Sequence, residues 1–187
     1  MSFRIFGLGP TDQGYVTQLS PLIVSTLRKA SAEIGRGQGL TECSRWFGDT
    51  SAPWLKRLGT ALNRMASVVN IEDIDVSFRS LNHRKGSFAA ASQPAGGWGT
   101  YTSVKDARGQ GFRIQLDTAW NKAPLLRPLG APADSMFQTL VHELAHLVLH
   151  AEDHEYGVPS CLALAQNSSY KAKDNADNWG YFVEEFR

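Results

Sequence analysis

The chain has 187 residues, 42% of them hydrophobic, with 19 basic and 18 acidic side chains and a formal charge of +1. That size fits a single domain, residues 1–187, with a core large enough to fold unaided. The balanced charge and the lack of a basic run argue against nucleic acid or an anionic membrane as partner, and no stretch approaches the apolar length of a membrane span.

Met1 to Pro10 lacks the hydrophobic core of a secretory signal. The expectation is a cytoplasmic protein, or one secreted by a specialised route that reads other signals. From Asp12 to Ile34 the apolar residues Tyr15, Leu19, Leu22, Ile23, Leu27 and Ala30 keep helical spacing. Pro21 is expected to kink or restart that helix, and Gly35, Gly37 and Gly39 to end it in a loop. A second helix is expected from near Ser51, with Pro53 in its first turn and Leu55, Leu58, Leu62, Met65, Val68 and Val69 as its buried face.

The middle of the chain changes character. Asp75 to Arg79, Ser87 to Ala91, Thr100 to Val104 and Phe112 to Leu116 are short, β-prone stretches separated by turn residues, with Gly96-Gly97-Trp98-Gly99 as a loop or tight hairpin. They predict a small, mainly antiparallel sheet. Phe112 to Leu116 is a candidate edge strand for a peptide added to the sheet; an ordinary core strand fits it as well. His83, beside Arg84 and Lys85, reads as a solvated turn, and Trp98 and Trp120 as packing residues. After Pro124, Pro128 and Pro132 the pattern is helical again, with further helices near Val158 to Ala165 and Asp174 to Glu185. Helices up to about residue 70, strands from about 71 to 120 and helices from about 130 onward give an α+β fold class.

The stretch with the most chemistry is His142-Glu143-Leu144-Ala145-His146. Two imidazoles four residues apart sit about 40° apart on a helix, one turn up, so both can meet one ion. Glu143 leaves at a different angle and can reach a water on that ion without being a ligand. Two imidazoles, an open coordination position and a nearby carboxylate are what a zinc hydrolase needs. The context suits a buried helix. Ser135 and Gln138 form a capping-box pair, and Phe137, Leu140, Val141, Leu144, Ala145, Leu147 and Val148 supply an apolar stripe.

Such zinc wants a third protein ligand. His142, His146, His150 and His154 recur every four residues, but on one rod their ends would lie about 18 Å apart. The helix must therefore stop and fold back. On local grounds His150, Glu152, Asp153 and His154 are all candidates. Cys43 and Cys161 are the only cysteines; neither has a CxxC spacing, and they are expected as free, partly buried thiols, with a disulfide between them as the alternative.

Asp153-His154-Glu155-Tyr156-Gly157 resembles the D-x-x-Y-G segment of the aspzincin zinc endopeptidases, the deuterolysin-like and peptidyl-Lys-cleaving enzymes. Trp46-Phe47-Gly48, Leu116 to Pro124, Leu140-Val141-His142-Glu143, and Asn175-Ala176-Asp177-Asn178 with Tyr181-Phe182 are similar to further blocks of that family, in the same order. The resemblance implies a zincin-like fold, Zn²⁺, and a protein or peptide substrate. It implies zinc ligation by His142, His146 and Asp153, Glu143 as general base, and Tyr156 as donor to the oxyanion.

Two departures stand out. The family's turn before the aspartate is longer and contains glycine, whereas residues 147–152 here have none, which keeps His150 and His154 in view as substitute ligands. Lysine-cleaving members carry an acidic pair in the last block. Asp177 matches one member, and Gly180 stands at the other position. Asp177 is thus expected either to bind a substrate lysine on the leaving-group side or to make a structural hydrogen bond at a helix terminus. The leading expectation is a zinc endopeptidase. The alternatives are a zinc amidase or toxin-like effector acting on one partner or on cell-wall peptide, with an inhibitor or immunity protein conceivable, and a non-catalytic module stabilised by zinc.

Overall fold

The computed structural model describes residues 3–71, 74–78, 89–92, 112–117, 119–128 and 131–187. Strand β1 (Arg4–Phe6) leads into helices α1 (Pro10–Gly35), α2 (Leu40–Phe47) and α3 (Ala52–Ile71). Strands β2 (Ile74–Phe78), β3 (Ala89–Ser92) and β4 (Phe112–Leu116) follow. A 3₁₀ turn (Trp120–Lys122) then precedes α4 (Met136–Leu149), α5 (Val158–Asn167), α6 (Ser169–Lys173) and α7 (Ala176–Glu184). The architecture is α+β.

Helix α1 forms because Val16, Leu19, Ile23, Leu27, Ala30 and Ile34 recur every three or four residues, and all six are buried. The helix does not restart at Pro21; one helix runs through it. The buried face of α1 packs against that of α3, which includes Leu58, Leu62, Met65 and Val69. Helix α2 was hidden from the periodicity reading because two turns are too short to show a period. Its buried face is Cys43, Trp46 and Phe47. It stops at Gly48, whose φ of 61° and closeness to Ala165 O, 2.1 Å from where a Cβ would stand, leave room for no side chain.

The sheet order is β1-β2-β4-β3. The expectation of a mainly antiparallel sheet is corrected by its register. β1 runs parallel to β2, with Ile5 opposite Val76, and β2 parallel to β4, with Val76 opposite Ile114. Among the described residues only β3 and β4 are antiparallel, with Ala91 opposite Ile114. The physical reason lies in the connection: α1 to α3 intervene between β1 and β2, and a long helical crossover returns the chain in its starting direction. β4 is also no edge strand, because β2 and β3 pair with both of its sides. Among the described residues the strand at the α4 side of the sheet is β3, which lies against α4. The expected strand at Thr100 to Val104, the loop at 96–99, His83 and Trp98 lie outside the described residues.

Trp46, Phe47, Trp54, Trp179, Tyr181 and Phe182 form an aromatic cluster that joins α2 and α3 to α7, with ring centroids 5.0 to 6.0 Å apart. Trp120 is fully buried, and Cys43 and Cys161 are buried free thiols whose pKa values burial raises. Among the described residues no helix is long and apolar enough to cross a membrane.

Candidate metal centre and catalytic residues

Every residue of α4 is buried, so its polar side chains need partners inside the protein. Ser135 caps the helix by accepting from Gln138 N at 2.9 Å. The return arm of the expected capping box is not made. The Gln138 side chain instead donates to Asp177 Oδ1 at 2.8 Å. Ser135 Oγ donates to Glu184 Oε1 at 2.8 Å, and Glu184 pairs with Arg127, both almost completely buried. The start of α4 is thereby tied to α7.

At its other end α4 stops without glycine. His150 itself adopts the left-handed conformation, φ 57° and ψ 32°, which costs about 1–2 kcal/mol for a non-glycine residue. The turn is held by His150 N to His146 O (3.2 Å) and Ala151 N to Ala145 O (3.3 Å). It also brings the Ala151 carbonyl to 2.6 Å from His146 Nδ1. His150's imidazole is buried with neither ring nitrogen hydrogen-bonded, and burial followed by the nearby Arg64 charge lowers its pKa.

Beyond the turn, Glu152 pairs through its backbone with the segment before α7: its N–H donates to Asp174 O at 2.7 Å and its carbonyl accepts from Ala176 N at 2.9 Å. Asp153 then points back at α4. Its Oδ1 lies 3.3 Å from His142 Nε2 and 3.2 Å from His146 Nε2, and the two Nε2 atoms are 2.9 Å apart. Among the described residues His142, His146 and Asp153 are the group placed to hold a metal ion. His150 is not in it. Nor is His154, whose Nε2 is taken by Asp174 Oδ2 at 3.0 Å.

The far side of each imidazole faces an acceptor. His142 Nδ1 is 2.7 Å from Asp177 Oδ1, and His146 Nδ1 faces a carbonyl, which can only accept. Both rings therefore carry their proton on Nδ1, and in the neutral form both Nε2 lone pairs converge on the Asp153 carboxylate. Three acceptors meeting without a donor repel one another unless a cation lies between them. Without metal, a proton answers this demand. Burial lowers the pKa of His142, but the Asp177 hydrogen bond and the charges of Glu143 and Asp153 outweigh it, to about 9. Burial likewise raises the pKa of Asp153, but the His146 hydrogen bond, the imidazole charges and the Tyr156 hydroxyl bring it down to about 2.

Glu143 is 3% exposed, and its Oε2 has no hydrogen-bond partner. Burial raises its pKa, against the pull of His142 and His146. Tyr156 stacks beside His142, centroids 6.3 Å apart and rings at 23°, yet it is 62% exposed and open to solvent. Asp177 stands at the back of His142 rather than in an open pocket: Oδ1 accepts from His142 and Gln138, and Oδ2 from Gly157 N at 2.9 Å. Asp177 is thus a buried carboxylate engaged in hydrogen bonds of the structural kind that the sequence offers beside lysine binding. No acidic side chain could stand at Gly180, because its Cβ would lie 2.8 Å from Gln138 O.

Residues 35–184 match the family described as aspzincin (M35), lysine-specific metallo-endopeptidase. The chain belongs to the aspzincin family. It is therefore a zinc-dependent metalloendopeptidase, acting on protein or peptide substrates. A solved structure, a zinc peptidase from Grifola frondosa, superposes with a TM-score of 0.64 over 95% of this chain and 97% of that one, at 23% identity, and bears out the fold. No curated protein matches the sequence. The shortened, glycine-free turn of this aspzincin still delivers its aspartate, because His150 takes the conformation that glycine would otherwise supply. Sequence reasoning assigned no role to Asn175 or Asn178, although both lie in a family block, and it gave the side-chain amide of Gln138 a different partner. A run of amides before a helix signals a turn, and their long-range partners have no local signature.

Proposed function

We propose that His142, His146 and Asp153 hold the catalytic zinc, that Glu143 is the general base, and that Tyr156 donates to the oxyanion of the scissile carbonyl. The observation that carries this reading is the convergence of two Nε2 lone pairs and one carboxylate oxygen. Their separations of 2.9 to 3.3 Å are close to the roughly 3.3 Å between ligands of a tetrahedral ion with bonds of about 2.0–2.1 Å. A closed structural zinc site needs a fourth protein ligand, and among the described residues none joins these three, which favours the catalytic reading over a zinc-stabilised module. When bound, zinc supplies a Lewis acid that polarises the carbonyl and makes an attacking water acidic enough to lose its proton near neutral pH.

Glu143 takes that proton and later gives it to the leaving amine. Its burial and unpartnered oxygen suit a carboxylate that must accept and release a proton. Tyr156 is a neutral donor on an exposed loop, so a substrate carbonyl can reach its hydroxyl. Asp177 fixes the tautomer and orientation of His142, the usual task of a carboxylate behind a ligating imidazole.

A preference for lysine on the leaving-group side would rest on Asp177 alone, and its three hydrogen bonds leave it little capacity for a substrate ammonium. We therefore expect at most a weak lysine preference. Mass-spectrometric mapping of the cut sites in a denatured protein tests this: strict cleavage before lysine contradicts it, and a single cut confined to one partner protein favours the effector alternative. Glu143→Gln is expected to lower kcat/KM by about 10²–10⁴-fold with zinc still bound, and chelation to abolish cleavage. Activity surviving both rejects the mechanism.

A further inference from the structure

Asp153 and Tyr156 sit on residues 152–157, a segment outside helix and strand apart from the single backbone bridge at Glu152. Asp177 Oδ2 accepts from Gly157 N at its far end, at 2.9 Å, and the Cys161 thiol lies 3.7 Å from the Glu155 carbonyl, but the side chain that holds both residues after Asp153 is Asn175. Asn175 is completely buried. Its Oδ1 accepts from the amides of both His154, at 2.8 Å, and Glu155, at 3.0 Å. Its Nδ2 donates to the Glu155 carbonyl at 3.0 Å and to Asn178 Oδ1 at 2.7 Å, and lies 3.5 Å from Cys161 Sγ. Asn178 donates in turn to the carbonyls of Trp46, at 2.6 Å, and Cys161, at 3.1 Å. A chain of amides thus runs from the end of α2 through α7 to the loop of the third ligand.

The position of Asp153 in this arrangement is specific. On one side Glu152 is paired with the backbone at 174 and 176, and on the other His154 and Glu155 are clamped by the Asn175 side chain. Both neighbours of the ligand are held by the same turn. A carboxamide can do this because it carries an acceptor and a two-hydrogen donor on one plane; a carboxylate lacks the donor, and an apolar side chain lacks both. None of these bonds involves His142 or His146.

We propose that Asn175 is the positioning residue that presets the third ligand, so that Asp153 already faces the two imidazoles before a metal arrives. The proposal rests on the ligand set assigned above. It makes the zinc site a preformed one, organised by neutral amides and not by the ion.

Metal-free wild-type protein tests the clamp directly by hydrogen–deuterium exchange. The amides of His154 and Glu155 are expected to exchange slowly; exchange as fast as in an unstructured peptide overturns the proposal, whether or not any variant folds. Zinc affinity, measured by competition with a chromophoric chelator, gives the second readout. Asn175→Ala and Asn175→Asp are expected to bind zinc about 10–100-fold more weakly, with faster exchange across residues 152–157 and unchanged protection in α1 and α3. Folded variants with wild-type affinity overturn the proposal. Wild-type protein that does not compete for zinc overturns the ligand assignment itself, and the inference with it.

Discussion

The two main helix pairs of this protein are held together by different physics. α1 and α3 meet through aliphatic side chains, with Leu19, Ile23 and Leu27 buried on one helix and Leu58, Leu62 and Met65 on the other. The side chain of Ser31 also reaches across, its Oγ donating to Gly59 O at 3.1 Å. α4 and α7 also bury apolar residues, but polar pairs run between the first half of α4 and α7: Ser135 to Glu184, Gln138 to Asp177 and His142 to Asp177. Apolar contact is non-directional, so it fixes that two helices touch without fixing their rotation to a fraction of an ångström. Hydrogen bonds are directional, and a zinc site must hold its ligands to such tolerances. The polar interface therefore lies where the chemistry is.

Substitutions in the two pairs should separate these roles. The largest stability loss is expected from Glu184→Gln. Arg127 is 1% exposed, and removing one partner of such a buried ion pair costs about 3–5 kcal/mol, to be read from denaturant unfolding. Leu27→Ala in the apolar pair should cost about 2–5 kcal/mol, with kcat/KM per folded molecule unchanged. Loss of activity at full folding would show that the two halves are not independent. Asp177→Asn should have the opposite profile: a modest change in stability and zinc binding weakened about 10–100-fold, measured by chelator competition.

The smallest effect lies at the periphery, where Lys173 Nζ meets Asp49 Oδ2 at 2.5 Å. Burial raises the pKa of Asp49, but hydrogen bonds from Lys173 and from the backbone and side chain of Ser51 outweigh it and bring it down to about 2. A carboxylate with a depressed folded-state pKa contributes stability above its unfolded pKa, near 4, and loses it as pH falls through the folded value. The stability gap between wild type and Lys173→Met should thus be full above about pH 4 and close toward pH 2. A gap that does not change with pH would assign it to the Lys173 stack on Trp54 instead.

The motif helix was legible because three independent signals coincide within it: Ser135 as cap, an apolar stripe, and two histidines one turn apart. The sheet was less legible. Phe112 to Leu116 was found as a strand, but alternation of residues says nothing about which strands lie on either side. β1 was missed because three residues make no period, and α2 because eight make barely two turns. Asp177 shows the limit at the site. Its place in a family block marked it as functional, but only the fold turns its carboxylate toward His142 Nδ1 and away from solvent.

Residue types and short spacings determined by themselves that this chain has a capped, apolar helix with two imidazoles one turn apart and a carboxylate beside the first; they left His150, Glu152, Asp153 and His154 undivided as candidates for a third ligand. These features depend on neighbours within one or two helical turns, a range over which backbone geometry is nearly invariant. Tertiary structure alone decided how the chain reverses without glycine, which carboxylate holds His142, and that Asn175 grips the ligand loop. The last two outcomes depend on hydrogen bonds between residues 21 to 35 positions apart, whose partners are chosen by packing and not by local sequence.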